Sequence, residues 1–273
     1  MKKNLLKNKS ILITGAAGIL GIEHSIALMS AGARVIMTDI DEVRLTKAKK
    51  FIQNKIGIKP ICFNMDVTNY KSVRMVKNKL DKKKLSIFGL INNAAIDHKV
   101  SKNNKIESLN RLEKFDTSLF ENEVKVGLTG AIICSSVFGP GMSKNKNGVI
   151  INIASDLSII SPDQRLYSKK GLPKNKQPVK PVSYSVIKSG LVGLTKYLAT
   201  YWADQNVRSN ALSFGGVYDN QDKEFVKNLT KLIPLGRMAN KDEYRGIIVF
   251  LCSDDATYIN GQNIVIDGGR TIL

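Results

Sequence analysis

Ser10-Ile11-Leu12-Ile13-Thr14-Gly15-Ala16-Ala17-Gly18-Ile19-Leu20-Gly21 decides the fold. Its first five residues are a short Leu-rich and β-branched run, the composition of a strand buried on both faces. Gly15 ends that run, and a helical pattern follows through Ser30. A strand, a tight glycine-rich turn and a helix start together make a phosphate cradle. Glycines let backbone N–H groups approach a pyrophosphate closely, and the helix N-terminus favours its negative charge. The glycines alone would also suit a tight turn with close helix–strand packing. The strand before them and the helix after them favour dinucleotide binding.

The pattern repeats outward from this unit. Residues 34–39 read as a second strand ending in Asp39. A carboxylate there can accept hydrogen bonds from both ribose hydroxyls of an adenosine and repels a phosphate on the ribose. No Arg or Lys follows directly at Ile40, Asp41 or Glu42, so NAD is favoured over NADP. Alternatively, Asp39 caps the helix that begins near residue 41. Residues 43–56 are helical, 60–65 a third strand closed by Asp66-Val67, 71–80 helical, and 86–91 a fourth strand running into Asn92-Asn93-Ala94-Ala95. Asp66 can meet an adenine amino group or simply cap the turn at Thr68. Residues 97–114 are polar, a loop or short helix. Residues 117–142 read as a long helix interrupted by Gly127 and Gly130, each costing about 1 kcal/mol relative to Ala. A fifth strand at 148–154 ends at Ser155; helices at 183–205, 219–233 and 242–252 flank a sixth strand at 208–212, and a seventh at 263–267 leads into Gly268-Gly269. Strands alternating with helices call for a parallel, doubly wound sheet of about seven strands with helices on both faces. No linker or repeat divides residues 1–273, so one domain is expected. Ligands in such sheets bind at the carboxyl ends of the strands.

Composition narrows the function. The chain has 273 residues, 43% of them hydrophobic, enough for a substantial core, and no apolar run long enough to span a membrane. Cys62, Cys134 and Cys252 are odd in number and far apart, which argues against a disulfide framework and fits a reducing cytoplasm. His24 and His98 form no metal-ligand spacing, so no structural zinc is expected. The net charge of +19 suits an anionic partner, or reflects lysines filling solvent-facing positions. The basic clusters lack interleaved aromatics, so nucleic-acid binding is not expected.

Ser183-Tyr184-Ser185-Val186-Ile187-Lys188 carries the chemistry. On a helix, Tyr184 and Lys188 lie on one face four residues apart. A phenol is a poor base at neutral pH, and a neighbouring cation favours its phenolate. Such a pair can exchange a proton with an alcohol or carbonyl oxygen. Ser155 ends a strand at the same edge and can hold a substrate oxygen. With a dinucleotide in the cradle, these residues make the machinery for hydride transfer to or from a carbinol or ketone.

Over roughly residues 8–270 the chain resembles the short-chain dehydrogenase/reductase family. The matching stretches are residues 14–21, Asp39, Asp66-Val67, Asn92 to Ala95, Ser155, Tyr184 with Lys188, Asn210-Ala211 and Asp267-Gly268-Gly269. The resemblance implies a Rossmann-type domain and a catalytic set of Ser155, Tyr184 and Lys188. It implies cofactor contacts at Gly15, Ala17, Gly18, Ile19, Leu20, Gly21, Asp39, Ile40, Asp66, Val67, Asn93, Ala94, Ala95, Tyr184, Lys188, Gly215 and Val217. It also implies a homodimer or homotetramer built on the helices near 117–141 and 183–204. Four departures stand out. The middle glycine of the cradle is Gly18, where the compact branch usually has it at the position of Ile19. The family's helix asparagine, which holds a relay water, falls on Gly127. A usual Pro-Gly is Phe214-Gly215, and a usual threonine falls on Asp219.

The Ser155–Tyr184 separation is long for the family, and the extra residues, 156–182, hold Pro162, Pro173, Pro178 and Pro181 with six basic residues. A segment of this length without evident structure reads as a substrate loop. Its sequence resembles a subgroup found with bacterial surface-sugar pathways, including flagellin modification and legionaminic-type nonulosonic acid synthesis. Asp156, Arg165 and Lys180 are candidate substrate contacts, with the cations suited to a sugar phosphate or nucleotide sugar. Two alternatives remain: a ketoreductase of acyl or small secondary-alcohol substrates, and a non-catalytic nucleotide-binding scaffold.

Overall fold

Alternation along the strands splits their apolar side chains between two layers. Ile11, Ile13, Val35, Met37, Ile91, Val149, Ile151 and Ile153 face one core, and Leu12, Ile36, Leu90 and Ile150 face the other. A sheet apolar on both faces must be covered on both. The structure, a computed structural model, describes residues 4–96 and 110–273. The chain runs β1 (Ser10–Thr14), α1 (Ile19–Ser30), β2 (Arg34–Asp39), α2 (Glu42–Ile56), β3 (Ile61–Asn64), α3 (Tyr70–Lys82) and β4 (Gly89–Asn92). It continues through α4 (Thr117–Lys144), β5 (Gly148–Ser155), α5 (Val182–Tyr201), β6 (Val207–Phe214), α6 (Lys223–Thr230), α7 (Arg245–Leu251) and β7 (Asn263–Ile266).

The strands form one seven-stranded sheet in the order β3-β2-β1-β4-β5-β6-β7, parallel at every pairing. α1, α2 and α7 pack on one face, through Ile26, Leu28, Leu45, Ile52, Ile248 and Leu251. α3, α4 and α5 pack on the other, through Val73, Val76, Leu80, Phe138, Met142, Leu198 and Trp202. This is the expected doubly wound sheet with its order reversing at β1 and β4, where a crevice opens at the carboxyl ends.

Several boundaries differ from the sequence reading. The fourth strand starts at Gly89. The helix expected at 219–233 begins only at Lys223, because the Asp222 side chain accepts from the N–H groups of Glu224 and Phe225 and sets the start there. The helix expected from residue 242 begins at Arg245. Of the polar stretch 97–114, residues 97–109 lie outside the described residues, and Leu112–Lys114 is a short helical turn. α4 is long and apolar enough to cross a membrane by length and composition, yet Cys134, Val137, Phe138 and Met142 of its inner face sit in the core. Gly127 and Gly130 do not break it; a π-helical turn at Lys125–Thr129 carries the helix through.

Residues 156–182 are not structureless. They contain short helical turns at Asp156–Ser158, Gln164–Tyr167 and Lys174–Lys176. Two glutamines hold them. Gln177 accepts from Lys169 N and donates to the carbonyls of Lys169 and Leu172, while Gln164 and the Lys180 backbone exchange two bonds. Leu166 is buried against Leu229, Ile233 and Met238, which anchors the segment to α6 and the turn after it.

Candidate active site

The glycine turn between β1 and α1 is fixed from below by Thr14. Its hydroxyl accepts from the N–H groups of Asn93 and Ala94, both at 3.0 Å. The Asn93 amide donates to the carbonyls of Thr14 and Gly15. Asn93 therefore shapes the cradle rather than reaching past it. Gly15 has φ +59°, and a Cβ there would lie 2.8 Å from the Ala94 Cα, so only glycine fits. At the start of α1, Gly18 is extended, no side chain caps the helix, and no acidic residue occupies its first turn. Its N–H groups are left for an anion. Glycine where backbones touch, uncapped amides and a first helical turn without an acid fit a dinucleotide pyrophosphate. Ala17, Gly18, Ile19, Leu20 and Gly21 lie along this turn.

Asp39 ends β2 beside the glycine turn. Its carboxylate accepts from Ala17 N and from Asp41 N, each at 3.0 Å. The alternative that Asp39 caps α2 is corrected here: Asp41 accepts from Arg44 N and is the cap. Arg44 was missed by the sequence reading. The first turn of α2 brings its guanidinium to 3.5 Å from the Ala17 carbonyl, placing a cation on the turn whose Ala17 N–H bonds Asp39. Its signal was the helix start at Asp41, which folds residue 44 back over the strand end. Asp66 Oδ1 accepts from both the backbone N–H and the hydroxyl of Thr68, the turn cap expected of it. Ile40 and Val67 flank these carboxylates, and Ala95 follows the Ala94 contact.

The reacting end lies on β5 and α5. Lys188, buried, donates from Nζ to the Ile153 carbonyl at 2.8 Å, which ties α5 to β5 two residues before Ser155. The same ammonium is 5.7 Å from the Tyr184 ring centroid. Lys180 Nζ stands over that ring at 3.8 Å, a cation–π contact the motif does not predict. Ser155 donates to Asp156 Oδ1 at 2.7 Å and accepts from Leu157 N at 3.3 Å. A buried polar chain supports both elements: Asn92 donates to Asn152, and Asn152 donates to Thr195 of α5, each at 2.8 Å.

Phe214, the last residue of β6, stands where the family usually has a proline. It stacks on Tyr244 with ring centroids 3.9 Å apart. The Tyr244 hydroxyl donates to the Gly215 carbonyl at 3.0 Å, and burial pushes that phenol well up from its usual range. Gly215 is thus held by an aromatic clamp in place of a proline ring. Val217 bridges Ala239 as a one-residue extension.

The relay position is filled. A Cβ on Gly127 would lie 2.7 Å from the Ile187 Cγ2. A side chain at this position would run into Ile187, and Lys188 donates to the Ile153 carbonyl.

A cleft of about 480 Å³ opens on the Ser185–Ser189 face of α5, between Arg111 and residues 157–162 and 179–182. Of the three candidate substrate contacts, Lys180 lines it. Arg165 does not; it is exposed and paired in bidentate fashion with Asp163, whose carboxyl is held below the usual range by that guanidinium. Asp156 does not either. It is buried and paired with Arg270 Nη1 at 2.6 Å. Both charges have a partner within the protein, a pairing that a sequence does not display.

Among the described residues no cluster of His, Cys, Asp and Glu has the arrangement of a metal site, and all three cysteines are unpaired. Burial pushes the Cys134 and Cys252 thiols up to about 12, so neither is a nucleophile.

A seven-stranded Rossmann-type sheet with a glycine cradle, a strand-end acid and a Tyr–Lys helix beside a strand-end serine defines a nicotinamide-dependent oxidoreductase. The chain belongs to the short-chain dehydrogenase/reductase family and acts on CH–OH groups with a nicotinamide dinucleotide; this displaces the scaffold alternative. The family profile described as Enoyl-(Acyl carrier protein) reductase matches residues 15–271. The chain is 27% identical to post-translational flagellin modification protein A of Campylobacter coli, over 97% of this chain and 99% of that one. It is 30% identical to the 3-oxoacyl-(acyl-carrier-protein) reductase FabG of Thermotoga maritima, over 98% and 99%. Among solved structures it resembles a short chain dehydrogenase from Leptospira borgpetersenii with bound NAD+, with TM-score 0.81, 28% identity and coverage of 97% and 94%.

Proposed function

We propose that this chain is an NAD-dependent oxidoreductase of the cytoplasm that interconverts a carbinol and a ketone on an anionic sugar derivative, a sugar phosphate or nucleotide sugar used in surface-glycan synthesis. One observation carries the reading: Lys180 both lines the cleft and stands over the Tyr184 ring. A cation at the junction of cleft and phenol suits an anionic substrate whose carbinol must reach Tyr184. The resemblance to the Campylobacter coli flagellin modification protein supports the sugar class.

A nicotinamide held in the cradle would accept the hydride as NAD+ or supply it as NADH. Tyr184 Oη exchanges the proton with the reacting oxygen, and Lys188 favours the phenolate while bonding the nicotinamide ribose. Ser155 meets the substrate beside that oxygen. Asp39 takes the ribose hydroxyls, and its charge disfavours NADP. Exposed Val186, Tyr197 and Tyr201 along α5, with Ile132 on α4, would pack against a second copy, giving a homodimer or homotetramer.

The test is a panel of sugar phosphates, nucleotide sugars and simple ketones, followed by NADH absorbance. Turnover of an anionic sugar is expected. The 30% identity to the Thermotoga reductase favours the acyl reading as the alternative, and a response confined to 3-oxoacyl thioesters would establish it instead.

A further inference from the structure

The Tyr184 ring has two cations beside it, where the Tyr–Lys motif supplies one. Lys188 is the expected one; its ammonium is tied to the Ile153 carbonyl and lies 5.7 Å from the ring centroid. The nearer one is Lys180, with Nζ 3.8 Å from the same centroid. The backbone builds its place. Lys180 precedes Pro181, and a residue before proline is held extended. Pro181, the residue before α5, is extended too, at φ −67° and ψ 149°. The chain thus reaches Tyr184 from outside the helix and brings residue 180 over the ring face. Gln164 holds the Lys180 backbone at both ends: its Oε1 accepts from Lys180 N at 2.9 Å, and its Nε2 donates to Lys180 O at 3.3 Å. Gln164 opens the short helical turn that Leu166 anchors against Leu229, Ile233 and Met238.

A phenolate spreads negative charge from its oxygen into the ring, so a cation over the face stabilises the ionised form more than the neutral one. We propose that Lys180 is a positioning residue that acts through Tyr184: with Lys188 it favours the phenolate, so that Tyr184 takes up a carbinol proton at lower pH than Lys188 alone allows. In the oxidation direction the O–H proton passes to Tyr184 Oη while the C–H hydride leaves to the nicotinamide. The proposal rests on the oxidoreductase reading above and adds to it a residue outside Ser155, Tyr184 and Lys188. The elements packed against α5 are the first half of α4, β5, the turn at 156–158 and β6. Their charged groups among the described residues are Glu121, Glu123 and Lys125 of α4, Asp156, which Arg270 pairs, and Arg208 at the amino end of β6. Removing the Lys180 charge leaves all of these in place, so a shift on its removal reports Lys180.

The experiment compares the wild type, Lys180→Met and Lys180→Arg, each with and without Tyr184→Phe. Ultraviolet absorbance follows tyrosinate formation in the full chain as the pH is raised, without substrate. Subtracting the Tyr184→Phe partner isolates one tyrosine of the eight. Lys180→Met is expected to move the Tyr184 titration up by about one pH unit, the low end of the effect of a cation within about 4–6 Å. The acid limb of kcat/KM for carbinol oxidation, measured with the panel member that is turned over, should move with it. Lys180→Arg keeps the charge and should leave both near the wild type. A titration or a limb that Lys180→Met leaves in place overturns the proposal even where KM rises, because Lys180 then only holds substrate. Equal displacement in Lys180→Arg overturns it as well, since the contact is then one of packing rather than charge. If the titration moves while no panel member is oxidised or reduced, the functional reading fails and the action of Lys180 on Tyr184 stands.

Discussion

At Tyr184 two ammonium groups, Lys188 and Lys180, lie within 6 Å of one ring centroid, at 5.7 and 3.8 Å. Replacing the hydroxyl while keeping the ring tests its role with little change in packing. Tyr184→Phe is expected to lower kcat by at least about 100-fold, the usual scale of a lost acid–base group, while NADH affinity by fluorescence titration changes little. Unchanged turnover would remove Tyr184 from proton transfer. In the proposed cofactor site the Asp39 carboxylate opposes a phosphate on the ribose and the Arg44 guanidinium favours one. NADH should bind more tightly than NADPH, and Arg44→Ala should widen the gap by weakening NADPH alone; a wild-type preference for NADPH would overturn the Asp39 argument. Gly127 is tested by restoring the family residue. Gly127→Asn drives a side chain into Ile187 and should destabilise by about 1–3 kcal/mol in urea titrations without raising kcat, the cost of overpacking a filled site. These residues differ in how readable they were. Tyr184, Lys188 and Asp39 follow from helix spacing and strand ends. Arg44 is legible only through the helix start at Asp41, and Arg270 is not, because its partner Asp156 is set by how a distant turn folds back.

At the scale of elements, residues 156–182 depend on Gln177 and Gln164 for their path. Gln177→Ala removes three bonds at once and leaves the sheet untouched. KM for the substrate found in the panel should rise several-fold, NADH affinity should hold, and limited proteolysis should cut near residues 169–177 sooner. A segment equally resistant to protease in the variant would refute the clamp. The strands were legible because burial on both faces writes continuous apolar runs, as at Ile11-Leu12-Ile13 and Val149-Ile150-Ile151. The long helix was legible for its apolar face, although its π-helical turn was not, since one extra residue in a turn leaves no composition signature. The insertion read as loop because side chain–backbone bonds from glutamines carry no period. The helix expected at 219–233 is shorter, Lys223–Thr230, because Asp222 sets its start by capping.

At the scale of the whole molecule, the sheet is covered on both faces, and the α1 side buries a titratable group that the chemistry does not use. His24 lies fully buried on α1, its ring centroid 6.0 Å from that of Phe214, and neither of its nitrogens has a partner among the described residues. Desolvation lowers its pKa from 6.5 to about 3. The sign follows from which state binds the proton. Above pH about 6.5 the ring is neutral folded and unfolded, so it contributes nothing to the pH dependence. Below that value the unfolded chain takes up a proton that the native core refuses, and stability falls by roughly 1.4 kcal/mol per pH unit until the folded value near 3 is approached. The Glu243–Arg237 pair cannot produce the upper part of this decline. Its carboxyl is held down to about 2 by the guanidinium and the Asn240 N–H, so its contribution is lost only below the ordinary carboxylate range. Self-repulsion from the +19 charge also grows on acidification, but salt screens it and does not screen a proton excluded from the core. The melting temperature of the wild type should therefore drop between pH 6.5 and 5 in high salt as well as in low. His24→Leu should flatten that part of the curve. An equal slope in the variant would place the acid sensitivity elsewhere, in the surface charge rather than in the helix that forms the cofactor cradle.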